Sequence, residues 1–179
     1  MSGADGDLWV FGYGSLMWRP GFDFAERTLA ALHGFHRALC IYSHVHRGTP
    51  DRPGLVLGLD RGGSCRGVAF RVERAGREAT LDYLRAREQA TAVYRETRHR
   101  IRLSDGRAVE AVAYTADRGH AQYAGRLPHE ELVRLVLQGV GISGANPDYV
   151  INTHAHLRAM GLRDRTLAAL AKALEEARR

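Results

Sequence analysis

The hydrophobic period of this 179-residue chain changes along its length, and that change limits what the chain can fold into. Through the first two-thirds, short apolar runs follow the two-residue spacing of strands. One stretch in their midst, and most of the last third, follow the 3.6-residue spacing of helices. Residues 8–11 (LWVF) form an apolar run ending in Gly12-Tyr13-Gly14-Ser15, which reads as a buried strand entering a tight loop. Residues 32–43 read as a second strand, followed by the irregular polar segment HVHRGTPDRPG. Residues 55–60 and 67–73 read as two further strands, with Gly62-Gly63 marking a hairpin between them.

Residues 76–88 have no Pro or internal Gly and are rich in Ala, Leu, Glu and Arg, which predicts a helix. Residues 94–103 alternate again, Asp105-Gly106 predicts a tight turn, and residues 109–114 supply the return strand. From Pro128, suited to a first helical position, Leu132, Val133, Leu135 and Val136 make an apolar stripe. Asn146-Pro147 predicts the cap of a second late helix that Gly161 ends, and Asp164 starts a third. Strands first and helices last, with one helix interrupting, is an α+β pattern rather than a series of βαβ units. With no repeat or linker, the expectation is one domain over residues 1–179, its first seven residues flexible.

A formal charge of +6 raises the question of nucleic acid. The densest basic group, Arg85, Arg87, Arg95, Arg98, Arg100 and Arg102, is interrupted by acidic and apolar residues. No basic tail, zinc-finger spacing or aromatic-basic RNA motif accompanies it, so no nucleic-acid partner is expected. The charge reads instead as favouring acidic small substrates and solubility. Cys40 and Cys65 lie in apolar stretches without a C-x-x-C pair and read as buried, reduced thiols. The chain opens on small polar residues and has no apolar run near the length of a spanning helix, so a cytoplasmic protein without membrane contact is expected.

Two features are candidates for chemistry. In the loop Gly12-Tyr13-Gly14-Ser15-Leu16 the glycines permit positive φ and leave backbone N–H groups unshielded, so it can grip a carboxylate or an oxyanion. It is neither a Walker loop nor a dinucleotide fingerprint, since no Gly-Lys-Ser/Thr follows and Met17 stands where a third glycine belongs. Ser15 is not in a G-x-S-x-G elbow. The second candidate is Glu88. Leu81, Leu84 and Glu88 share one helix face at i, i+3 and i+7, and a carboxylate on an apolar stripe needs a partner or a task. Pairing with Arg85, Arg87 or another cation at the helix end is the plain alternative. Glu78 and Glu96 read as solvated. The histidine pairs His33/His36, His44/His46 and His154/His156 lack acidic or cysteine companions at ligand spacing, so no metal site is expected. On their own, Tyr94 and Tyr123 read as core aromatics with a hydrogen-bonded hydroxyl.

Together these segments resemble the ChaC-like branch of the γ-glutamylcyclotransferases. VFGYGSLMWRPGF is similar to that family's amino-terminal signature, HRGTPDRPG to its His-Arg-Gly and Pro-Gly segment, and YLRARE to the helix ending in its acid–base glutamate. AVAYTADRGHAQYAG and GISGANPDYV resemble later blocks in the same order. The resemblance implies a small mixed β-barrel with surrounding helices and a helical C-terminal part. It implies that Tyr13, Gly14, Ser15 and Leu16 hold a γ-glutamyl group, largely through backbone donors, and that Glu88 is the acid–base residue. Tyr94 and Tyr123 fall near pocket tyrosines of relatives. Gln89-Ala90-Thr91-Ala92 replaces a stretch often richer in glycine, which bears on leaving-group preference.

The implied reaction is the release of 5-oxoproline from glutathione, with cysteinylglycine as the other product and no cofactor. The substrate's own α-amine attacks its γ-carbonyl, so the nucleophile is already tethered. The backbone donors of residues 14–16 hold either the α-carboxylate or the oxyanion, and Arg47 or another arginine meets the glycine carboxylate. Two other readings remain open at this point: the same chemistry on another γ-glutamyl amino acid or amine, and a catalytically silent module binding acidic metabolites or nucleic acid.

Overall fold

The computed structural model describes residues 6–89 and 92–179. Five strands, β1 (Leu8–Gly12), β2 (Glu26–Ser43), β3 (Gly54–Val72), β4 (Tyr94–Leu103) and β5 (Ala108–Ala116), form a closed barrel in the order β1-β3-β2-β4-β5. β1 is the staple of this barrel. It is buried along its whole length, as a continuous apolar run requires. It pairs antiparallel with β3, from Leu8↔Val72 to Gly12↔Val68, and parallel with β5 at Val10↔Val112. That parallel pairing makes the barrel mixed and closes it.

The β4–β5 hairpin turns where Asp105-Gly106 was expected to turn it, with Gly106 at φ +93. Its register runs from Tyr94↔Ala116 to Arg102↔Ala108 and sets Glu96 opposite Tyr114. Ile101 and Leu103 of β4 are buried, whereas Arg98, Arg100 and Arg102, which alternate with them, are exposed.

The expected hairpin at Gly62-Gly63 is absent. Residues 54–72 form one long strand, and the two glycines sit inside it at φ +102 and +67. Paired glycines of positive φ suit a bend or bulge as well as a turn, and here the nitrogen ring of His36 bonds Gly62 O at 2.9 Å across it. The connection between β2 and β3 is the irregular segment at residues 44–53 instead.

By packing, the chain divides into two compact units, the first containing residues up to 37 and 59–117, the second residues 38–58 and 118–179. In the first, α1 (Arg77–Glu88) sets Leu81 and Leu84 into a cluster with Leu8 and Val10 of β1, Val72 of β3, Val112 and Tyr114 of β5, and Leu16. Phe22 and Tyr94 pack against that cluster. Each fully buried Leu or Val there stabilises by about 1.5–3 kcal/mol.

The second unit contains α2 (His129–Gln138), the two-residue strands β6 (Val140–Gly141) and β7 (Gly144–Ala145), α3 (Asn146–Ala159) and α4 (Arg165–Ala177). Pro128 proves to be the residue before α2 rather than its first position. α4 buries Leu167, Leu170, Ala171 and Leu174, an i, i+3, i+4, i+7 stripe, and Asp164 caps it by accepting from Leu167 N at 3.0 Å. α3 ends at Gly161, whose N–H bonds Arg158 O while Leu162 N bonds Leu157 O, a Schellman pair.

Asn146 does not cap α3. Its fully buried side chain instead accepts from Leu55 N and donates to Leu55 O, both at 2.8 Å, tying α3 to the start of β3. At that contact Gly54 and Gly139 let backbones meet. A Cβ on either would collide with Arg47 O. Among the described residues, no helix is long and apolar enough to cross a membrane.

Candidate active site

Glu88 closes α1, on the face that carries Leu81 and Leu84. Its side chain is 17% exposed. Burial raises its pKa above the ordinary glutamate value, and the Arg87 guanidinium, with Nε 3.5 Å from Oε1, pulls it back only in part. Arg87 touches Glu88, yet desolvation is the larger effect.

The loop after β1 coils into a 3-10 turn at Ser15–Met17. Tyr13, Leu16 and Met17 are buried while Ser15 is exposed. Neither Gly12 nor Gly14 uses the positive φ expected of them. Gly12 is required for close approach, since a Cβ there would press on Leu16 Cβ at 3.1 Å and Met17 N at 3.4 Å. Gly14 precedes the turn at φ −129 and accepts from Met17 N at 3.0 Å. The N–H groups of Ser15 and Leu16, at the start of the turn, find no partner within it, as the first donors of a helix cannot.

Three arginines hold this loop by its oxygens, and the sequence reading missed that role for all of them. Arg37 donates to Tyr13 O at 2.6 Å and to Arg66 O at 2.7 Å. Arg27 reaches Met17 O at 3.3 Å. Arg87 donates to Arg19 O at 2.7 Å, Pro20 O at 3.1 Å and Ser15 Oγ at 2.9 Å. For Arg37 a signal existed, namely a charge inside the apolar run FHRALC, the same oddity that singles out Glu88.

Glu96 corrects an expectation. It is not solvated. Its side chain is 18% exposed, receives two bonds from Arg85, at 2.9 and 3.0 Å, and accepts from the buried Tyr114 hydroxyl at 2.9 Å. The bonds from Arg85 hold its pKa below the usual carboxylate range. Burial, reinforced by Glu96, pushes the Tyr114 hydroxyl well above an ordinary tyrosine, and the charge of Glu88 adds to that effect. Glu78, by contrast, is 81% exposed, as expected.

The first unit thus brings together Glu88, the loop from Tyr13 to Leu16, and Tyr94, which packs on the same cluster as Leu16, Leu84 and Tyr114. Arg47 and Tyr123 belong to the second unit. There Arg47 donates to Ala145 O at 3.2 Å and lies 5.5 Å over the Tyr149 ring. Tyr123 forms an isolated bridge with Ile41, with Arg118 5.9 Å over its ring. Of the stretch after Glu88, Ala90 and Thr91 lie outside the described residues. Ala92 adopts φ +58, a left-handed conformation that glycine tolerates better. Among the described residues, no three His, Cys, Asp or Glu side chains stand close enough to share a metal ion.

The barrel with its helices matches solved structures. The crystal structure of a gamma-glutamyl cyclotransferase specific to glutathione from yeast superposes with a TM-score of 0.86 over 96% of each chain, at 22% identity, and so shares the fold. Residues 8–177 match the model of the ChaC-like protein family. The chain is similar to the glutathione-specific gamma-glutamylcyclotransferase of Escherichia coli, 36% identical over 89% of this chain and 69% of that protein. It is also similar to the human glutathione-specific gamma-glutamylcyclotransferase 1, 32% identical over 95% of this chain and 81% of that one. The chain belongs to the ChaC-like protein family.

Proposed function

We propose that this chain is a glutathione-specific γ-glutamylcyclotransferase, releasing 5-oxoproline and cysteinylglycine, with Glu88 as its acid–base residue. The observation that carries the reading is one buried carboxylate of raised pKa, joined through a single guanidinium to a loop with unshielded backbone donors. The family and the relatives' activity support the same reaction.

In this reading the Glu88 carboxylate takes a proton from the substrate's α-ammonium. The freed amine attacks the γ-carbonyl carbon, and the carbonyl electrons move to oxygen. Glu88 then hands its proton to the cysteinyl nitrogen as the γ-amide bond breaks and the carbonyl re-forms. The second proton of the new ring nitrogen passes by the same carboxylate to the departing amine, which leaves as an ammonium. One group of raised pKa serves both transfers, because it holds the proton without binding it too tightly. Donors at Ser15 and Leu16 face the α-carboxylate or the developing oxyanion. Tyr94, packed against the cluster that contains Leu16 and Leu84, is retained as a substrate-side residue, as Tyr13 and Gly14 are in the loop. Arg47, in the second unit, is retained as the cation for the glycine carboxylate. Tyr123 is retained as a substrate-side tyrosine. No step calls on a cofactor, nucleic acid or membrane. Two buried cysteines not joined in a disulfide fit a cytoplasmic setting.

The test is direct. Metal-free protein incubated with glutathione should release 5-oxoproline, and Glu88→Gln should lower the rate by about a hundredfold or more. Full activity in that variant would remove Glu88 from its role. Inert glutathione beside an active γ-glutamyl amine or amino acid would move the substrate, not the chemistry.

A further inference from the structure

Arg87 touches both halves of the proposed catalytic apparatus in the first unit. Its Nη2 donates to Ser15 Oγ at 2.9 Å. Its Nη1 reaches Arg19 O at 2.7 Å, Pro20 O at 3.1 Å and the Tyr83 hydroxyl at 3.1 Å. Its Nε lies 3.5 Å from Glu88 Oε1. The Arg87 side chain is 21% exposed; its bond to Pro20 O is partly buried, while those to Arg19 O, Ser15 Oγ and the Tyr83 hydroxyl lie at the surface. The far side of the same contact is built to fit. Gly21 has φ +77, and a Cβ there would collide with the Tyr83 hydroxyl that Arg87 also holds. Phe22 meets the Tyr83 ring edge-on at 6.4 Å.

We propose that Arg87 is a positioning residue for the cyclotransferase reaction, locking the loop of residues 15–20 to the helix end that carries Glu88 and keeping the Glu88 carboxylate in charge balance. This inference rests on the proposed activity. The geometry explains why arginine stands here. A planar fork presents donors in three directions at once, whereas a lysine ammonium has one nitrogen and cannot span Ser15, Arg19 and Glu88 together.

Two functions of Arg87 can be separated. The groups around Glu88 are Arg87 on its own helix, Tyr114 on β5, and, next to Tyr114, the Glu96–Arg85 pair of β4 and α1. Glu96 is neutralised by Arg85, and Tyr114 stays protonated, so Arg87 is the cation that acts on Glu88. Removing its charge should raise the Glu88 pKa further. Removing only its fork should leave that pKa in place but loosen the loop.

The experiment compares wild type, Arg87→Gln and Arg87→Lys in 5-oxoproline release from glutathione, measured as kcat and KM across pH. For Arg87→Gln, kcat should fall about tenfold or more, since misplacing a catalytic group is costly. The acidic limb of its kcat profile, where Glu88 must be ionised to act, should move to higher pH. Arg87→Lys should lose kcat or gain KM while its acidic limb stays where the wild type has it. An unmoved limb in Arg87→Gln overturns the charge role, and wild-type kcat and KM in Arg87→Lys overturn the tether. Should Arg87→Gln fail to fold, the lysine variant decides alone by that second criterion. A wild-type chain that releases no 5-oxoproline removes the reaction itself, a result no variant can mimic.

Discussion

At the scale of residues, Glu88 is held in a way that favours the proton over its absence. Its folded pKa is raised by burial, so the folded state binds a proton more tightly than the unfolded chain does. Stability then falls as pH rises from the unfolded value through the folded one, and the full cost stands above it. Glu88→Gln keeps the shape and discards the charge. It should therefore melt higher than the wild type at pH about 8, and the gap should narrow as pH is lowered toward the ordinary glutamate range. Thermal melts at the two ends of that window check this. A variant no more stable than wild type at the alkaline end would contradict the burial argument. Glu88 was legible in the sequence because helical phase fixes which face a residue shares. Glu96 was not, because alternation along a strand gives a face but no partner. Its partner was nevertheless within reach. The Asp105-Gly106 turn sets the β4–β5 register, and that register places Glu96 opposite Tyr114, a hydroxyl inside the apolar run AVAYTA.

Among the elements, α1 is fixed at its last turn from two directions. Arg85 grips Glu96 on β4, and Arg87 grips the segment following β1. This accounts for the length of the amino-terminal signature, whose end at Arg19, Pro20, Gly21 and Phe22 seats on Tyr83 and Arg87. The block GISGANPDYV has a similar logic in the second unit. Asn146 satisfies both backbone groups of Leu55, because its short amide presents an acceptor and a donor side by side. Asn146→Ala should cost about 2–4 kcal/mol, the desolvation penalty of two orphaned buried groups. Denaturant unfolding measures it, and a loss below 1 kcal/mol would mean that water replaces the amide. Strand lengths were the least legible part. Gly62-Gly63 has the composition of a hairpin, and only the pairing of β3 with β1 on one side of the bend shows it to be one continuous strand.

Across the whole molecule, the excess of +6 divides into arginines facing outward and arginines turned onto carbonyls. Arg27, Arg37 and Arg87 hold the loop, so their charges lie beside the segment proposed to bind the γ-glutamyl group. The kcat/KM for glutathione should drop roughly two- to fivefold from about 20 mM to about 0.5 M salt, as screening weakens that attraction. A γ-glutamyl amine without net charge should respond less, and equal slopes for the two would show that the field plays no part. The fold class was legible because strands and helices occupy different thirds of the chain. The barrel's closure was not, since β1 meets β5 across a hundred residues through a single parallel pairing that no local pattern encodes.

The placement of the two cysteines has a consequence for an enzyme of this kind. Cys40 and Cys65 are 1% and 3% exposed and are not joined in a disulfide. A catalyst for a thiol peptide works amid high concentrations of that peptide and its oxidised dimer, a mixture that caps accessible sulfurs as mixed disulfides. Here neither sulfur offers a surface for exchange. The enzyme's own sulfurs are thereby insulated from the oxidation state of the pool it consumes.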